Sequence, residues 1–391
     1  MRIIINEIKK LFNLKIILIL GLIVFIIWKI FISFWIEVFP NGSNTPTFNL
    51  SVQMLKDYGT TMDEKEFEDF KEKSALREKE ADEYLKGDKE AQELGIKSYR
   101  ELRESLDKGK TDEKVEALHS KIYFKDNVYL FWEMQSRESL IASYENPLNR
   151  KAELYSSKPN KYKRLEELEK GDQLKSVLSY VTFLNYDSLI TNFSILVVVT
   201  LAFIISPIFL RDEKNKVNFL QYSSKTGRKI GSKKVISAMI TAFGISTLEL
   251  IGLFLMYIPN NTLLMYIPNN TLQFWNCSIN SKFNYMVSWF DLTFGQYIML
   301  TILVIYIITF VVTSVSLFVS SKVKSYVALI GVQVPILGAL IMFLDNIGLN
   351  HMTTINYPKY IPLIAYVVFI IISILLIINL LKNEKNRDVL N

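Results

Sequence analysis

Residues 189–210 have the sequence LITNFSILVVVTLAFIISPIFL, and residues 211–234 continue as RDEKNKVNFLQYSSKTGRKIGSKK. The first stretch is long and apolar enough for a membrane-spanning helix, which needs about 20 such residues at a rise of about 1.5 Å each. The second stretch holds eight Lys and Arg residues against two acids. Because cationic loops are retained in the cytoplasm, the second stretch predicts on which side of the membrane it lies.

Five further segments have the same apolar character, and 50% of the 391 residues are hydrophobic. The sequence therefore predicts an all-α, polytopic membrane protein with six transmembrane helices. These helices are expected at residues 16–38, 189–210, 235–257, 296–319, 327–344 and 361–381. An even number of spans places both termini on one side of the membrane.

The basic residues agree with this topology. Formal charges of +3 in residues 1–15, +6 in residues 211–234, +2 in residues 320–326 and +1 in residues 382–391 all fall on one side if the spans alternate. That side is predicted to be the cytoplasm. The richness in Ile, Lys and Asn suggests an AT-rich bacterial gene, so the predicted location is the bacterial cell membrane. Basic residues at span ends favour contact with anionic membrane lipid and argue against binding of nucleic acid.

The start of the chain has an amphipathic pattern. Ile4, Ile8 and Leu11 recur at helical spacing, with Glu7 and Lys10 on the other face. This pattern predicts an interfacial helix over residues 1–15; the alternative is the cytoplasmic end of the first span. The apolar run that follows is too long for a signal peptide and is expected to be retained.

A large charged segment, residues 39–188, separates the first two predicted spans. Helices are predicted at residues 63–86, 88–108, 112–144 and 160–184, the first starting with a capping box at Thr61 and Glu64. An apolar and aromatic run is expected to form its core: Ile122, Tyr123, Tyr129, Leu130, Phe131 and Trp132. The prediction is an extracytoplasmic helical domain, and the alternative is a disordered charged spacer.

The remaining connections are predicted to be short. Residues 258–295 and 345–360 are expected to be outer loops, residues 320–326 an inner turn, and residues 382–391 a cytoplasmic tail. The nine residues 255–263, LMYIPNNTL, repeat without change at residues 264–272. Two copies are too few for a repeat architecture, so the duplication is expected only to lengthen an outer loop.

The sequence argues against chemistry on this chain. One cysteine, Cys277, and two histidines, His119 and His351, do not form a metal-binding pattern. The tripeptide Gly109-Lys110-Thr111 resembles the end of a phosphate-binding loop, but Glu104 stands where that loop needs glycine. The prediction is a protein that is not an enzyme and holds no cofactor.

Lys29 and Glu249 are charged residues that lie well inside predicted spans. Both are expected about 20 Å from the inner boundary at the helical rise. A lone charge in hydrocarbon costs at least about 2.5 kcal/mol, so one hypothesis pairs these two residues across spans one and three. The alternative is that each side chain extends separately to the membrane surface.

Span four carries a stripe of small polar residues at spacings of four, three and four positions, namely Thr309, Thr313, Ser316 and Ser320. Small polar residues allow close approach of membrane helices. The stripe is expected to be a helix-packing surface, and the alternative is part of a substrate path.

The basic loop also contains apolar residues that retention in the cytoplasm does not require. Val217, Leu220 and Tyr222 lie among its charges, as expected of an interface with an apolar centre and a charged rim. The alternative is a loop that only sets topology and contacts lipid. The predicted contact with a cytoplasmic partner is made by Glu213, Val217, Leu220, Tyr222 and Arg228.

The layout resembles the permease subunit of ABC-2 type ATP-binding-cassette transporters. The resemblance rests on the basic amphipathic start and on the acidic pair Asp212-Glu213 after span two, although Val217 stands near the place where the family usually has glycine. It implies a coupling helix in this loop that docks on a separate cytoplasmic ABC ATPase, which would bind ATP and magnesium. It also implies a second permease subunit, identical or homologous.

The expected function is therefore export of a peptide, an antibiotic or other drug, or an ion, with ATP hydrolysed by the partner. The rival hypothesis is a membrane sensor or immunity protein that does not transport and whose outer domain binds a ligand.

Overall fold

The computed structural model describes residues 2–107, 112–147, 159–217, 221, 227–257 and 271–386. These residues form helices joined by turns, loops and isolated bridges, with no strand among them, which confirms the predicted all-α class. The chain divides into two compact units. The span unit comprises residues 1–39, 185–272 and 296–391, and the inserted unit comprises residues 40–184 and 273–295.

Six helices of the described residues are long and apolar enough to cross a membrane, as predicted. They are Leu14–Ile32, Tyr180–Lys214, Ile230–Tyr257, Phe294–Lys322, Tyr326–Gly348 and Ile361–Asn386, here called spans one to six. Spans two and four are mostly buried, whereas spans one, five and six expose most of their apolar side chains. Exposed apolar faces of this kind suit contact with lipid.

Span two begins at Tyr180, well before the predicted residue 189. The extra turns contain polar residues that hydropathy does not assign to a span, yet Tyr186 is buried and its hydroxyl lies 2.7 Å from the Thr301 hydroxyl. Span two is divided at Ser206, and Pro207 begins a short helix, Pro207–Lys214. Proline suits that first position because its missing N–H is not needed there.

A separate helix, Arg2–Leu11, precedes span one. Span one starts anew after Asn13, whose Oδ1 accepts a hydrogen bond from Ile16 N at 2.9 Å. The helix Arg2–Leu11 packs against span three, where the Ser237 hydroxyl donates to Ile4 O at 3.2 Å. Its buried residues are Glu7 and Leu11, so the packed face includes an acid that the sequence pattern assigned to the polar face.

The inserted unit is helical, as predicted. Its helices are Asn44–Tyr58, Glu64–Gly87, Lys89–Glu93, Tyr99–Asp107, Glu113–Ser120, Tyr129–Glu145 and Pro159–Glu169. The predicted capping box at Thr61 and Glu64 is wrong. Asp63 is the N-cap and Glu66 its partner, with both reciprocal hydrogen bonds at 2.8 Å. Asp63 directly precedes the helix, so its carboxylate can accept a hydrogen bond from the free Glu66 N–H of the first turn. Thr61 lies two residues earlier and is not at the N-cap position.

Three predicted helices of this unit are shorter than expected. Residues 88–108 are interrupted at Gly95 and residues 112–144 at Asn127, which have φ angles of 71° and 47°. A right-handed helix cannot continue through such a conformation, and glycine and asparagine adopt it most readily. The helix predicted at residues 160–184 ends at Glu169.

The predicted aromatic run supplies part of the core of the inserted unit. Ile122, Tyr123 and Phe131 are buried, whereas Leu130 and Trp132 are partly buried and Tyr129 is 44% exposed. Helix periodicity explains the difference, because neighbouring residues of Tyr129–Glu145 point in different directions.

Residues 273–295, predicted as part of an outer loop, belong to the inserted unit. Isolated bridges pair Lys175 with Ser281 and Ser278 with Thr293. Cys277 is fully buried in this segment, and burial raises the pKa of its thiol to about 12. Most of the duplicated LMYIPNNTL segment lies outside the described residues.

The Cys277 thiol is expected to resist alkylation in the folded protein. Burial keeps the thiol protonated near neutral pH, and the thiolate is the reactive species. Maleimide labelling of the detergent-solubilised chain, followed by intact mass, should be at least about 100-fold slower than labelling after unfolding in SDS. Equal labelling rates in the two conditions would show that the thiol is accessible.

Candidate functional site

The predicted coupling loop is described at its two ends and at Gln221. Glu213 lies in the last turn of the short helix Pro207–Lys214, and Val217 follows in a partly exposed position. Leu220, Tyr222 and the side chain of Arg228 lie outside the described residues. The predicted contact formed by these five residues therefore stays a prediction.

A buried ion cluster, here called the Asp212 cluster, joins the two ends of this loop. Asp212 Oδ2 lies 2.8 Å from Lys234 Nζ and 3.6 Å from Lys10 Nζ, and Lys10 Nζ lies 2.6 Å from Glu7 Oε1. The side chains of Asp212, Lys234 and Glu7 are 5–7% exposed. The cluster ties span two to span three and to the helix Arg2–Leu11.

Further contacts complete the surroundings of Asp212 and Lys234. Gln221 Nε2 donates to Asp212 Oδ2 at 2.7 Å, and Lys234 Nζ lies 4.9 Å from the centre of the Phe209 ring. Buried charges are tolerated only when each is compensated and hydrogen-bonded. The cluster was not predicted, because the sequence pattern assigned the loop cations to topology, lipid contact or the rim of an interface.

The span unit holds a cavity of about 700 Å³ between spans one, two and five. Its wall is mostly apolar, with Ile23, Phe203, Ile330 and Leu337 among its residues. This volume and character are typical of sites for small organic ligands. We call it the span cavity.

Polar groups occupy one side of the span cavity. The Ser206 hydroxyl donates to Gln333 Oε1 at 2.6 Å, and Gln333 Nε2 donates to the Ser316 hydroxyl at 2.6 Å. Arg211 supplies a cation to the same wall. The cavity therefore suits an amphiphilic molecule, with apolar groups against the spans and a polar or anionic group near Arg211.

One short helix links the span cavity to the Asp212 cluster. Pro207 and Arg211 of Pro207–Lys214 line the cavity, while Asp212 of the same helix holds Lys234 and Lys10. A displacement of this helix would change both places together.

The polar stripe of span four is fully buried. The Thr309 hydroxyl lies 2.8 Å from the Ser246 hydroxyl of span three, and Ser316 accepts from Gln333 of span five. Ser320 Oγ accepts from Phe209 N of span two at 3.2 Å, and Thr313 donates to Thr309 O at 2.7 Å. Three of the four residues thus contact neighbouring spans.

The hypothesis that Lys29 pairs with Glu249 is wrong. Lys29 Nζ lies 2.9 Å from Glu37 Oε1, eight residues later in the chain, and both side chains are partly exposed. Lys29 and Glu37 lie in the π-helical segments Trp28–Ile32 and Phe34–Val38, which follow each other in the chain, so the pair needs no partner span. Glu249 lies beside the Thr200 hydroxyl, and its Oε2 has no hydrogen-bond partner among the described residues.

A further buried acid, Asp187 of span two, was not predicted from the sequence. The Tyr297 hydroxyl of span four donates to Asp187 Oδ1, and Asp187 Oδ2 has no hydrogen-bond partner in the described part of the chain. Its signal was the polar run Asn185-Tyr186-Asp187 directly before the apolar stretch.

The inserted unit contains its own buried ion network. Glu133 receives hydrogen bonds from Arg77 at 2.8 Å and from Arg137 at 2.8 Å, and Arg137 also donates to Ser74 at 3.2 Å. Burial alone would raise the pKa of Glu133, but the two guanidinium groups outweigh it and hold that pKa below its ordinary value. The network ties the helix Glu64–Gly87 to the helix Tyr129–Glu145.

An aromatic cavity of about 550 Å³ lies elsewhere in the inserted unit. Tyr123, Phe124, Tyr129 and Trp132 contribute to its wall, and Phe124 is 66% exposed. Exposed aromatic rings of this kind are common at ligand sites. No group of three metal-binding side chains occurs among the residues that the structure describes.

Six apolar helices with charged connections define the class of this chain as a multi-pass membrane protein. No protein-family model, curated protein or solved structure matches it.

Proposed function

We propose that this chain is the membrane-spanning permease subunit of an ABC-2 type transporter in the bacterial plasma membrane. A separate cytoplasmic ABC ATPase would bind ATP and magnesium, and a second permease subunit, identical or homologous, would complete the transporter. Both termini would be cytoplasmic, because the basic segments favour that side. This chain would carry the transport path and no catalytic residue.

The observation that carries the proposal is the position of the helix Pro207–Lys214. Its residues line the span cavity on one side and hold the Asp212 cluster on the other. A force applied to the loop of residues 211–234 would therefore reach a cavity wall. Transport driven by a cytoplasmic partner requires such a mechanical connection between the loop and the wall of the cavity.

The Asp212 cluster would make the loop ends move as one body. Lys234 and Asp212 flank the loop, and Lys10 adds the N-terminal helix to them. Closure of the ATPase on the loop would shift these three elements together and tilt Pro207–Lys214 against span five. Two positions of this body would give two states of the cavity, one for each side of the membrane.

The span cavity favours a substrate that is a drug, an antibiotic or an apolar peptide over a hydrated ion. Its wall is mostly apolar and its polar groups, Ser206, Gln333 and Arg211, lie on one side. Such a wall can bind an amphiphile by removing its apolar surface from water.

The test uses the double variant Leu220→Asp with Tyr222→Asp. It should abolish ATP-dependent transport of a panel of amphiphilic dyes, peptides and cations, because acids in the apolar centre would prevent docking. Membrane insertion and yield should be unchanged. The control is Lys229→Ala, a change at an exposed position of the same loop that should transport normally. Normal transport by the double variant would refute the docking contact.

The second candidate function is a sensor or immunity protein that does not transport. The aromatic cavity with Phe124 and Trp132 favours it, since a ligand of the inserted unit could bind there. Saturable binding of a peptide or antibiotic that is lost in Trp132→Ala, in a chain that purifies without an ATPase, would support this function over transport.

A further inference from the structure

Hydrogen-bonding side chains line most of the length of span four. Tyr297 and Thr301 extend the polar stripe of span four. The extended set, here called the line, comprises Tyr297, Thr301, Thr309, Thr313, Ser316 and Ser320. All six side chains are at most 1% exposed. Their spacings of three, four or eight positions place them along one face of the helix.

Neighbouring spans supply partners along this line. The Tyr297 hydroxyl donates to Asp187, and the Thr301 hydroxyl lies 2.7 Å from the Tyr186 hydroxyl. Further along, Thr309 pairs with Ser246 and Ser316 accepts from Gln333. Gln333 and its partner Ser206 are wall residues of the span cavity, so the line connects Asp187 to that cavity.

Ile305 interrupts the line between Thr301 and Thr309. Glu249 lies three residues, or about one helical turn, from Ser246 on span three. Ser246 contacts Thr309, and Glu249 lies beside Thr200 of span two.

Two observations point to a ligand that is not a protein side chain. Asp187 is fully buried, and its Oδ2 has no hydrogen-bond partner among the described residues. Glu249 Oε2 is likewise without a partner there. Buried ionisable groups in a membrane are expensive and mark functional sites by default.

The groups that face these acids are hydroxyls and phenols. Tyr297 contacts Asp187, with Tyr186 and Tyr366 next to Tyr297, while Thr200 faces Glu249. Among the described residues neither acid forms an ion pair, whereas Lys29 contacts Glu37 and Lys234 contacts Asp212. A carboxylate without a cation is unfavourable in this setting, whereas a carboxylic acid is neutral.

We propose that Asp187 and Glu249 are proton-binding sites on a path along span four. A proton from water would bind one carboxylate oxygen to form the neutral acid, and release would break that O–H bond. No other bond changes. The hydroxyls of span four would pass the proton between the two acids and the span cavity. This inference concerns the chain alone and does not require the ATPase.

The binding sites can be detected by infrared difference spectroscopy on the full chain in lipid vesicles, titrated with acid. The wild type should show protonated-carboxyl absorption that decreases by one group in Asp187→Asn and by one in Glu249→Gln. The exposed-carboxyl variant Asp69→Asn is the control, because its loss should leave the buried signal unchanged. Identical buried-carboxyl signals in wild type and both variants would overturn the proposal.

The path can be tested by proton entry into the same vesicles, with an internal pH dye and a potassium diffusion potential. Wild-type entry should exceed that of protein-free vesicles at least threefold, and Asp187→Asn and Thr309→Val should remove the excess. Ser314→Ala is the matched control, since Ser314 is a buried serine of span four that is not on this line. Wild-type proton entry at the protein-free level, or proton entry in Thr309→Val equal to that of the wild type, would overturn the path.

The identity of the ion can be tested by replacing sodium with choline in the same assay. The rate of proton entry should not change, and a requirement for sodium would overturn the proton assignment.

Discussion

Replacing Lys234 with methionine is expected to destabilise the span unit by about 3 kcal/mol, the cost of leaving a buried charge without its partner. Asp212 is almost fully buried and its closest cation is Lys234, at 2.8 Å against 3.6 Å for Lys10. The measurement is thermal unfolding of the detergent-solubilised chain. The expected result is a clear fall in the unfolding temperature.

Two further variants separate the ion pair from a general effect of substitution. Lys229→Met removes an exposed cation a few residues away and should change stability by less than about 0.5 kcal/mol. Combining Asp212→Asn with Lys234→Met removes both charges and should recover most of the loss, because a neutral pair carries no uncompensated charge. A stable single variant, or a double variant no better than the single one, would contradict this role of the Asp212 cluster.

Glu133→Gln is expected to destabilise the inserted unit by about 3 kcal/mol, because it removes the charge that compensates the buried Arg137. Arg137 has a side chain that is 5% exposed and contacts Glu133 at 2.8 Å. The matched control is Glu80→Gln. Glu80 also contacts Arg77, but its side chain is 52% exposed, so the expected loss is at most about 1 kcal/mol. Equal losses of stability in Glu133→Gln and Glu80→Gln would contradict the idea that burial makes the Glu133 ion pairs more important than the exposed pair.

The same network predicts a dependence on acid. The pKa of Glu133 is lowered in the folded protein, since Arg77 and Arg137 outweigh the opposing effect of burial. Its contribution to stability is therefore complete above the unfolded value of about 4.3 and is lost as pH falls through the lower folded value. Tryptophan fluorescence during acid titration should show a smaller loss of stability between pH 5 and 3 in Glu133→Gln than in the wild type. Identical acid titrations of the wild type and Glu133→Gln would contradict the role of Glu133 in this pH dependence.

The six spans could be predicted because a membrane sets a fixed length for an apolar helix, and each apolar run of this chain meets that length. Local sequence also indicated the separate N-terminal helix and the helical character of the inserted unit. Helix ends were less accurate where polar residues are buried. Tyr186 and Asp187 lie inside span two, where Thr301 and Tyr297 of span four contact them.

The contacts that give the candidate site its properties join residues far apart in the chain. Asp212 and Lys234 are separated by the loop, and Arg77 and Glu133 by 56 residues. Sequence spacing carries no direct signal for such pairs. The Lys29–Glu37 pair joins residues only eight positions apart, and it was not predicted either. The mistaken Lys29–Glu249 pairing arose from matching depth alone, which does not fix the direction of a side chain.

The most direct test of the proposed permease is ATP hydrolysis that co-purifies with the detergent-solubilised chain. The proposal predicts that the wild-type chain carries a cytoplasmic subunit with magnesium-dependent ATP hydrolysis. It also predicts that the double variant Leu220→Asp with Tyr222→Asp loses this activity while inserting normally. A wild-type chain that purifies without ATP hydrolysis, or a double variant that keeps all of it, would contradict the proposal.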